Sequence, residues 1–140
     1  MSSRGSRLHE TSVELEVPFH DCDPLGVVWH GHYFKYLEVA RTKMLAPLGL
    51  DGEDLLQTGH RMYVIESRCR HTFPLFYRDR FRVEAWLREY EHRLFVSFEV
   101  HNLTRARRSA RAHTVLAVTD ADGKLLLVTP RVIVSRIIER

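Results

Sequence analysis

The chain has 140 residues, enough for one domain with one core and too few for two stable ones. An apolar share of 44% and a charged share of 28% are globular values and exclude a disordered or fibrous chain. No apolar run reaches the length of a membrane span, and a net charge of +3 is too mild to demand a nucleic acid or a membrane as partner.

Residues 1–10 are polar, rich in Ser and Arg, and without periodicity, so they read as a flexible leader before a single domain over residues 11–140. Met1 to Arg7 lacks the apolar run of an export signal. Cys22 and Cys69 form no close-spaced motif, which predicts neither a disulfide framework nor a thiolate zinc site and suits a reducing cytoplasm.

From Thr11 onward, Val13, Leu15 and Val17 alternate with Glu14 and Glu16, the period of a half-buried strand. A loop from Phe19 to Gly31 follows. Within it Asp23-Pro24-Leu25-Gly26 has Asp, Pro and Gly where a type I turn favours them. Between His32 and Leu45, Tyr33, Leu37, Ala40 and Met44 recur at helical spacing with Lys35, Glu38, Arg41 and Lys43 in other directions. This is the one long helix, ended by Pro47 and a left-handed cap at Gly49. Asp51 is placed to cap a short turn to Leu56, which Gly59 closes.

Everything afterwards reads as strand. Residues 60–73 supply one; Phe81, Val83, Ala85 and Leu87 pair with Leu94, Val96, Phe98 and Val100 as a hairpin; Ser109 to Thr119 follows; and a turn at Asp120–Gly123 returns a last strand over Lys124–Val128. One helix cannot cover both faces of so much sheet, so self-association is expected.

Polar and titratable groups concentrate in the loop between the first strand and the helix. Free backbone N–H groups near Gly31 and His32, with the helix dipole behind them, are suited to a developing oxyanion. A carboxylate on the adjacent turn, Asp23, is placed to attack a carbonyl or to deprotonate water. Equally, Asp23 could serve only its own Asp-Pro turn, as Asp before Pro commonly does. His20, Asp21, Asp23, His30 and His32 are metal-ligating types but fit no ligand spacing, so no metal and no cofactor are expected. Cys22 beside Asp23 is a poor nucleophile, and no Gly-x-Ser-x-Gly elbow is present.

The run Asp23-Pro24-Leu25-Gly26-Val27-Val28-Trp29-His30-Gly31-His32-Tyr33-Phe34, followed by Tyr36-Leu37-Glu38-Val39-Ala40-Arg41, resembles the signature of the hotdog thioesterases. Two branches are closest in pattern: the 4-hydroxybenzoyl-CoA thioesterases and the short acyl-CoA thioesterases associated with the Tol-Pal envelope system. Phe73-Pro74-Leu75-Phe76-Tyr77-Arg78-Asp79 continues the likeness. The resemblance implies an α+β hotdog fold, in which a curved antiparallel sheet of five to six strands wraps one long helix. It also implies an acyl-CoA or acyl carrier protein thioester as substrate, hydrolysed without cofactor or metal.

By the same resemblance the catalytic carboxylate falls on Asp23 rather than Asp21. His30 is a second catalytic candidate, its backbone N–H polarising the thioester carbonyl, and Gly31, His32 and Tyr33 complete the substrate-binding segment. Arg93 looks like a basic position that holds coenzyme A, and a dimer or dimer of dimers, a homotetramer, is implied. The rival readings are a hotdog dehydratase, whose flanking motif this chain lacks, and a non-catalytic acyl or nucleic-acid binding module. That module would use the basic run Arg105, Arg107, Arg108 and Arg111, which otherwise reads as a solvated hairpin or a phosphate contact.

Overall fold

The computed structural model describes residues 7–139. Five antiparallel strands form one sheet in the order β1-β3-β4-β5-β2. These are β1 (Leu8–Glu16), β2 (His60–His71), β3 (Arg80–Glu89), β4 (Leu94–Asn102) and β5 (Arg107–Asp120). The expected hairpin is formed, with Val83 opposite Val100 and Leu87 opposite Val96. Alternation explains which face is buried: Phe81, Val83, Ala85 and Leu87 point into the core while Arg80, Arg82 and Glu84 face outward.

The long helix α1 (Tyr33–Leu45) lies across β1, β2 and β3, with Tyr33, Leu37, Ala40 and Met44 all buried. It ends as expected, in a single 3₁₀ turn at Ala46–Leu48 and a left-handed Gly49 at φ 70°. A short helix α2 (Gly52–Leu56) follows with Asp51 at its N-cap position, although the Asp51 side chain makes no capping bond.

Three sequence expectations need correction. The first strand begins at Leu8 rather than Thr11, with a register shift before Thr11; residues 1–6 of the expected leader lie outside the described residues. Lys124–Val128 is not a strand, because only Leu125 bridges back to Thr119 after the Asp120 turn. Residues 131–138 form a helix, α3 (Arg131–Ile138), although Val132, Ile133, Val134, Ile137 and Ile138 are β-branched. Tertiary burial overrides that propensity. Ile133 and Ile137 stand one turn apart and are fully buried, Pro130 precedes the first turn, and the Arg136 guanidinium donates to the Gly49 carbonyl at 2.6 Å.

Candidate active site

Residues 22–28 close into a tight hairpin. The Asp23 N–H donates to the Val27 carbonyl at 2.8 Å, and the Gly26 N–H donates back to the Asp23 carbonyl at 2.9 Å, the bond of the expected turn. Gly26 sits at φ 82°, where a side chain would be strained. Asp23 Oδ1 accepts the N–H of Leu25 at 2.9 Å and of Val27 at 3.4 Å. The turn-stabilising role is therefore real, but it occupies one oxygen. Asp23 Oδ2 has no partner among the described residues, and the side chain is half-buried.

Asp21 is different. It is 1% exposed and accepts Lys35 Nζ at 2.7 Å and the Tyr36 hydroxyl at 2.5 Å, with His32 Nε2 at 3.9 Å. Burial alone would raise its pKa; the bonds from Lys35 and Tyr36, with the charges of Lys35 and His32, outweigh that and hold the carboxyl below its ordinary range. The same interaction, with burial as the larger cause, drives the Tyr36 hydroxyl far up. The Asp21 backbone carbonyl accepts the Trp29 N–H at 3.0 Å, so one buried residue joins the two ends of the loop through its backbone and ties them to α1 through its carboxylate. Lys35 and Tyr36 were read from sequence only as helix positions, and a pairing across 14 and 15 residues has no local signal.

A single 3₁₀ turn at His30–His32 leads into α1. The His32 N–H donates to the Trp29 carbonyl at 2.9 Å and the Tyr33 N–H to the His30 carbonyl, so the expectation of a free donor at His32 is not met. Among the described residues the N–H groups of His30 and Gly31 have no acceptor. A Cβ at Gly31 would stand 2.2 Å from the Trp29 indole, so a larger residue there must displace that half-exposed ring. The His32 ring turns toward Asp21 and packs on Trp29.

Beside this turn opens a cleft of about 270 Å³ between Val28, His30 and Tyr33 on one side and His71, Thr72, Phe73 and Pro74 on the other. Backbone bonds from Val28 to the Leu75 carbonyl at 2.9 Å and from Tyr77 to the Gly26 carbonyl at 3.2 Å hold the two walls together. His71, which sequence reasoning did not single out, stands at the end of β2 with its ring edge-on to Tyr33 at 4.5 Å. Burial, and secondarily the charge of His30, keep the His71 imidazole neutral to lower pH than usual. Burial pushes the Tyr33 hydroxyl up to about 12. The cleft of a single chain is thus lined by no carboxylate, Lys or Arg and is largely aromatic. Asp23 stands on the neighbouring hairpin and does not line it.

Arg93 lies in the β3–β4 turn, at the far end of the sheet: Leu94 pairs with Leu116, and Leu116 with Val64, seven residues along β2 from His71. That separation is about 23 Å at the rise of a strand. Cys22 is a protonated thiol, raised by burial and then by Asp21 and Asp23, as its neighbours predicted; burial also lifts Cys69 to about 11. His20, Asp21, Asp23, His30 and His32 do not gather into a ligand set. Among the described residues the one group with metal-ligand spacing is Glu84, Glu99 and His101, on the outer face and ringed by Arg7, Arg82, Arg108 and Arg111.

The provisionally named acyl-CoA thioesterase YneP of Bacillus subtilis (strain 168) is 29% identical over 83 residues, 59% of this chain and 60% of YneP. The chloroplastic acyl-acyl carrier protein thioesterase ATL3 of Arabidopsis thaliana is 30% identical over 80 residues, 57% of this chain and 41% of that protein. The matches therefore span less than two thirds of these relatives. A solved 4-hydroxybenzoyl CoA thioesterase variant complexed with 4-hydroxybenzoyl CoA superposes with a TM-score of 0.79 at 18% identity, covering 92% of this chain and 99% of that one. The 1,4-dihydroxy-2-naphthoyl-CoA thioesterase of Synechocystis gives 0.80 at 20% identity, covering 93% and 96%. At these identities the likeness establishes the hotdog fold. The model of one family matches residues 17–137, so that β2 to β5, α1 and the whole loop around Asp23 lie inside it; the chain belongs to the Thioesterase-like superfamily.

Proposed function

We propose that this protein hydrolyses an acyl thioester of coenzyme A. The observation that carries the reading is the conjunction, on one short loop, of a carboxylate oxygen left free on Asp23 and two N–H groups left free at His30 and Gly31, beside a largely aromatic cleft. The thioester carbonyl oxygen takes the two N–H groups, at the positive end of α1, where charge accumulates as the carbon becomes tetrahedral. Asp23 then either accepts the proton of an attacking water or attacks the carbon itself. Collapse expels the thiolate, which takes up a proton, and water supplies the oxygen of the free acid. The relatives named for acyl-CoA and acyl carrier protein thioesters support this class of substrate.

Thiol release from short, long and aromatic acyl-CoAs tests the reading. Turnover of at least one of them supports it, and no release above the uncatalysed rate from any of them refutes it. His30 enters through its backbone. Replacing it by Gln is expected to keep most of the turnover, and a loss beyond roughly a hundredfold in a folded variant would assign the imidazole a direct role.

The assembly is proposed to be a dimer, with dimers pairing into a tetramer. β2 is an edge strand of 12 residues, and Tyr63, Val64 and Ile65 on it are 53%, 45% and 60% exposed. An edge strand with an exposed apolar stretch of this kind is a site for pairing with a second copy. Antiparallel pairing of two β2 edges sets the start of one beside the end of the other, which carries the second copy's Arg93 turn toward the cleft. Light scattering at micromolar concentration should give a dimer or tetramer mass; a strict monomer would leave the β2 edge uncovered and Arg93 without a role. Free thiols at Cys22 and Cys69 are consistent with a reducing cytoplasm, and among the described residues no helix is long and apolar enough to cross a membrane.

A further inference from the structure

The basic run Arg105, Arg107, Arg108 and Arg111 has no part in the hydrolytic loop, yet the β4–β5 turn brings its first members to the cleft. The N–H groups of Thr72 and Phe73 both donate to the Ser109 carbonyl, at 2.8 and 3.2 Å, and the Thr72 hydroxyl donates to the Arg108 carbonyl at 3.1 Å. Cleft wall and turn are thus one hydrogen-bonded unit.

On that unit the guanidinium of Arg107 lies over the ring of Phe73, 4.3 Å from its centre, and Phe73 is a wall of the cleft. Arg105 lies in the same way over Phe76 at 4.0 Å, and the rings of Phe73 and Phe76 are 6.2 Å apart. The charge of Arg105 is taken up by the buried carboxylate of Asp79, whose oxygens are 3.0 and 3.3 Å from its Nε. Arg107 has no carboxylate partner among the described residues and is exposed. Its position over an aromatic ring, with no carboxylate to take up its charge, leaves its N–H groups for an anion, and a guanidinium is suited to take a phosphate through two parallel bonds.

We infer that Arg107 is a phosphate-binding residue at the lip of the cleft, recognising the phosphates of the coenzyme A carrier, with Arg105 and Asp79 positioning the turn that presents it. This rests on the thioesterase reading for the identity of the carrier. A ligand whose thioester carbonyl meets the His30 and Gly31 N–H groups lies beside the cleft that Phe73 also lines, and Arg107 is an unpaired cation over that wall.

The test is a calorimetric titration of the wild-type protein, Arg107→Ala and Arg107→Lys with two probes: coenzyme A, and pantetheine, which has the same thiol arm without phosphate. The expected result is a loss of about tenfold or more in coenzyme A affinity for Arg107→Ala, partly restored by Arg107→Lys, with pantetheine affinity held. Equal coenzyme A affinity in wild type and Arg107→Ala overturns the assignment. So does an equal loss for both probes, which would mark a packing effect on Phe73, or an absence of coenzyme A binding by the wild type. Turnover of an acyl carrier protein thioester lost in Arg107→Ala while coenzyme A binding is kept also overturns it, in favour of an acidic protein surface. Hydrolysis of a phosphate-free N-acetylcysteamine thioester by the wild-type protein reads the thioesterase proposal separately, since its failure leaves the binding result intact.

Discussion

Replacing Asp21 by Ala is expected to lower stability by about 3 kcal/mol, and the melting temperature by roughly 10 °C. The side chain is 1% exposed and is the acceptor for both Lys35 Nζ and the buried Tyr36 hydroxyl. Alanine leaves that hydroxyl unsatisfied and unties the Phe19–Trp29 loop from α1. Lys35 is half-exposed and swings into water, so Lys35→Ala is expected to cost much less than Asp21→Ala. The folded carboxyl lies below its ordinary 3.8, so its stabilisation is fully present above that value and is lost as pH falls through the folded pKa. The melting difference between wild type and Asp21→Ala should accordingly be largest near neutrality and shrink in strong acid. A loss below about 1 kcal/mol at pH 7 would mean that this pair does not lock the loop.

The sequence made legible those features that depend on near neighbours. Alternation located most of β1 and the β3–β4 hairpin, a 3.6 period located α1, and Asp-Pro-Leu-Gly located the turn whose bond from Gly26 to Asp23 is present. Three kinds of feature were hidden. α3 was hidden because its β-branched residues read as strand until Ile133 and Ile137 are seen against the core. Asp21 resembled Asp23 in sequence, and only the approach of Lys35 and Tyr36 across the loop separates a buried anchor from a carboxylate with a free oxygen. His71 and Phe73 gained a place in the site through the pairing of β2 with β5 and the backbone bonds to Ser109, contacts made between residues distant in the chain. Arg93 shows the opposite case: the likeness that singled it out says nothing of the sheet length between it and the cleft of its own chain.

The second large effect is expected at Asp23. Asn has the same shape, and its carbonyl oxygen is able to accept the Leu25 and Val27 N–H groups that Asp23 Oδ1 accepts now, so the turn should survive. What Asn lacks is the second carboxylate oxygen, the one without a partner. An amide neither deprotonates water nor attacks a thioester, and kcat should fall by about 10²–10⁴ with acyl-CoA binding retained. A purely turn-forming Asp23 predicts the reverse, an unchanged rate.

The most direct measurement is therefore steady-state thiol release by wild type and Asp23→Asn on the best acyl-CoA of the panel, with thermal melting recorded on the same samples. The predicted result is a melting temperature within a few degrees of wild type together with a kcat lower by about a hundredfold or more. A folded Asp23→Asn protein that keeps more than about a third of the wild-type kcat would contradict the account.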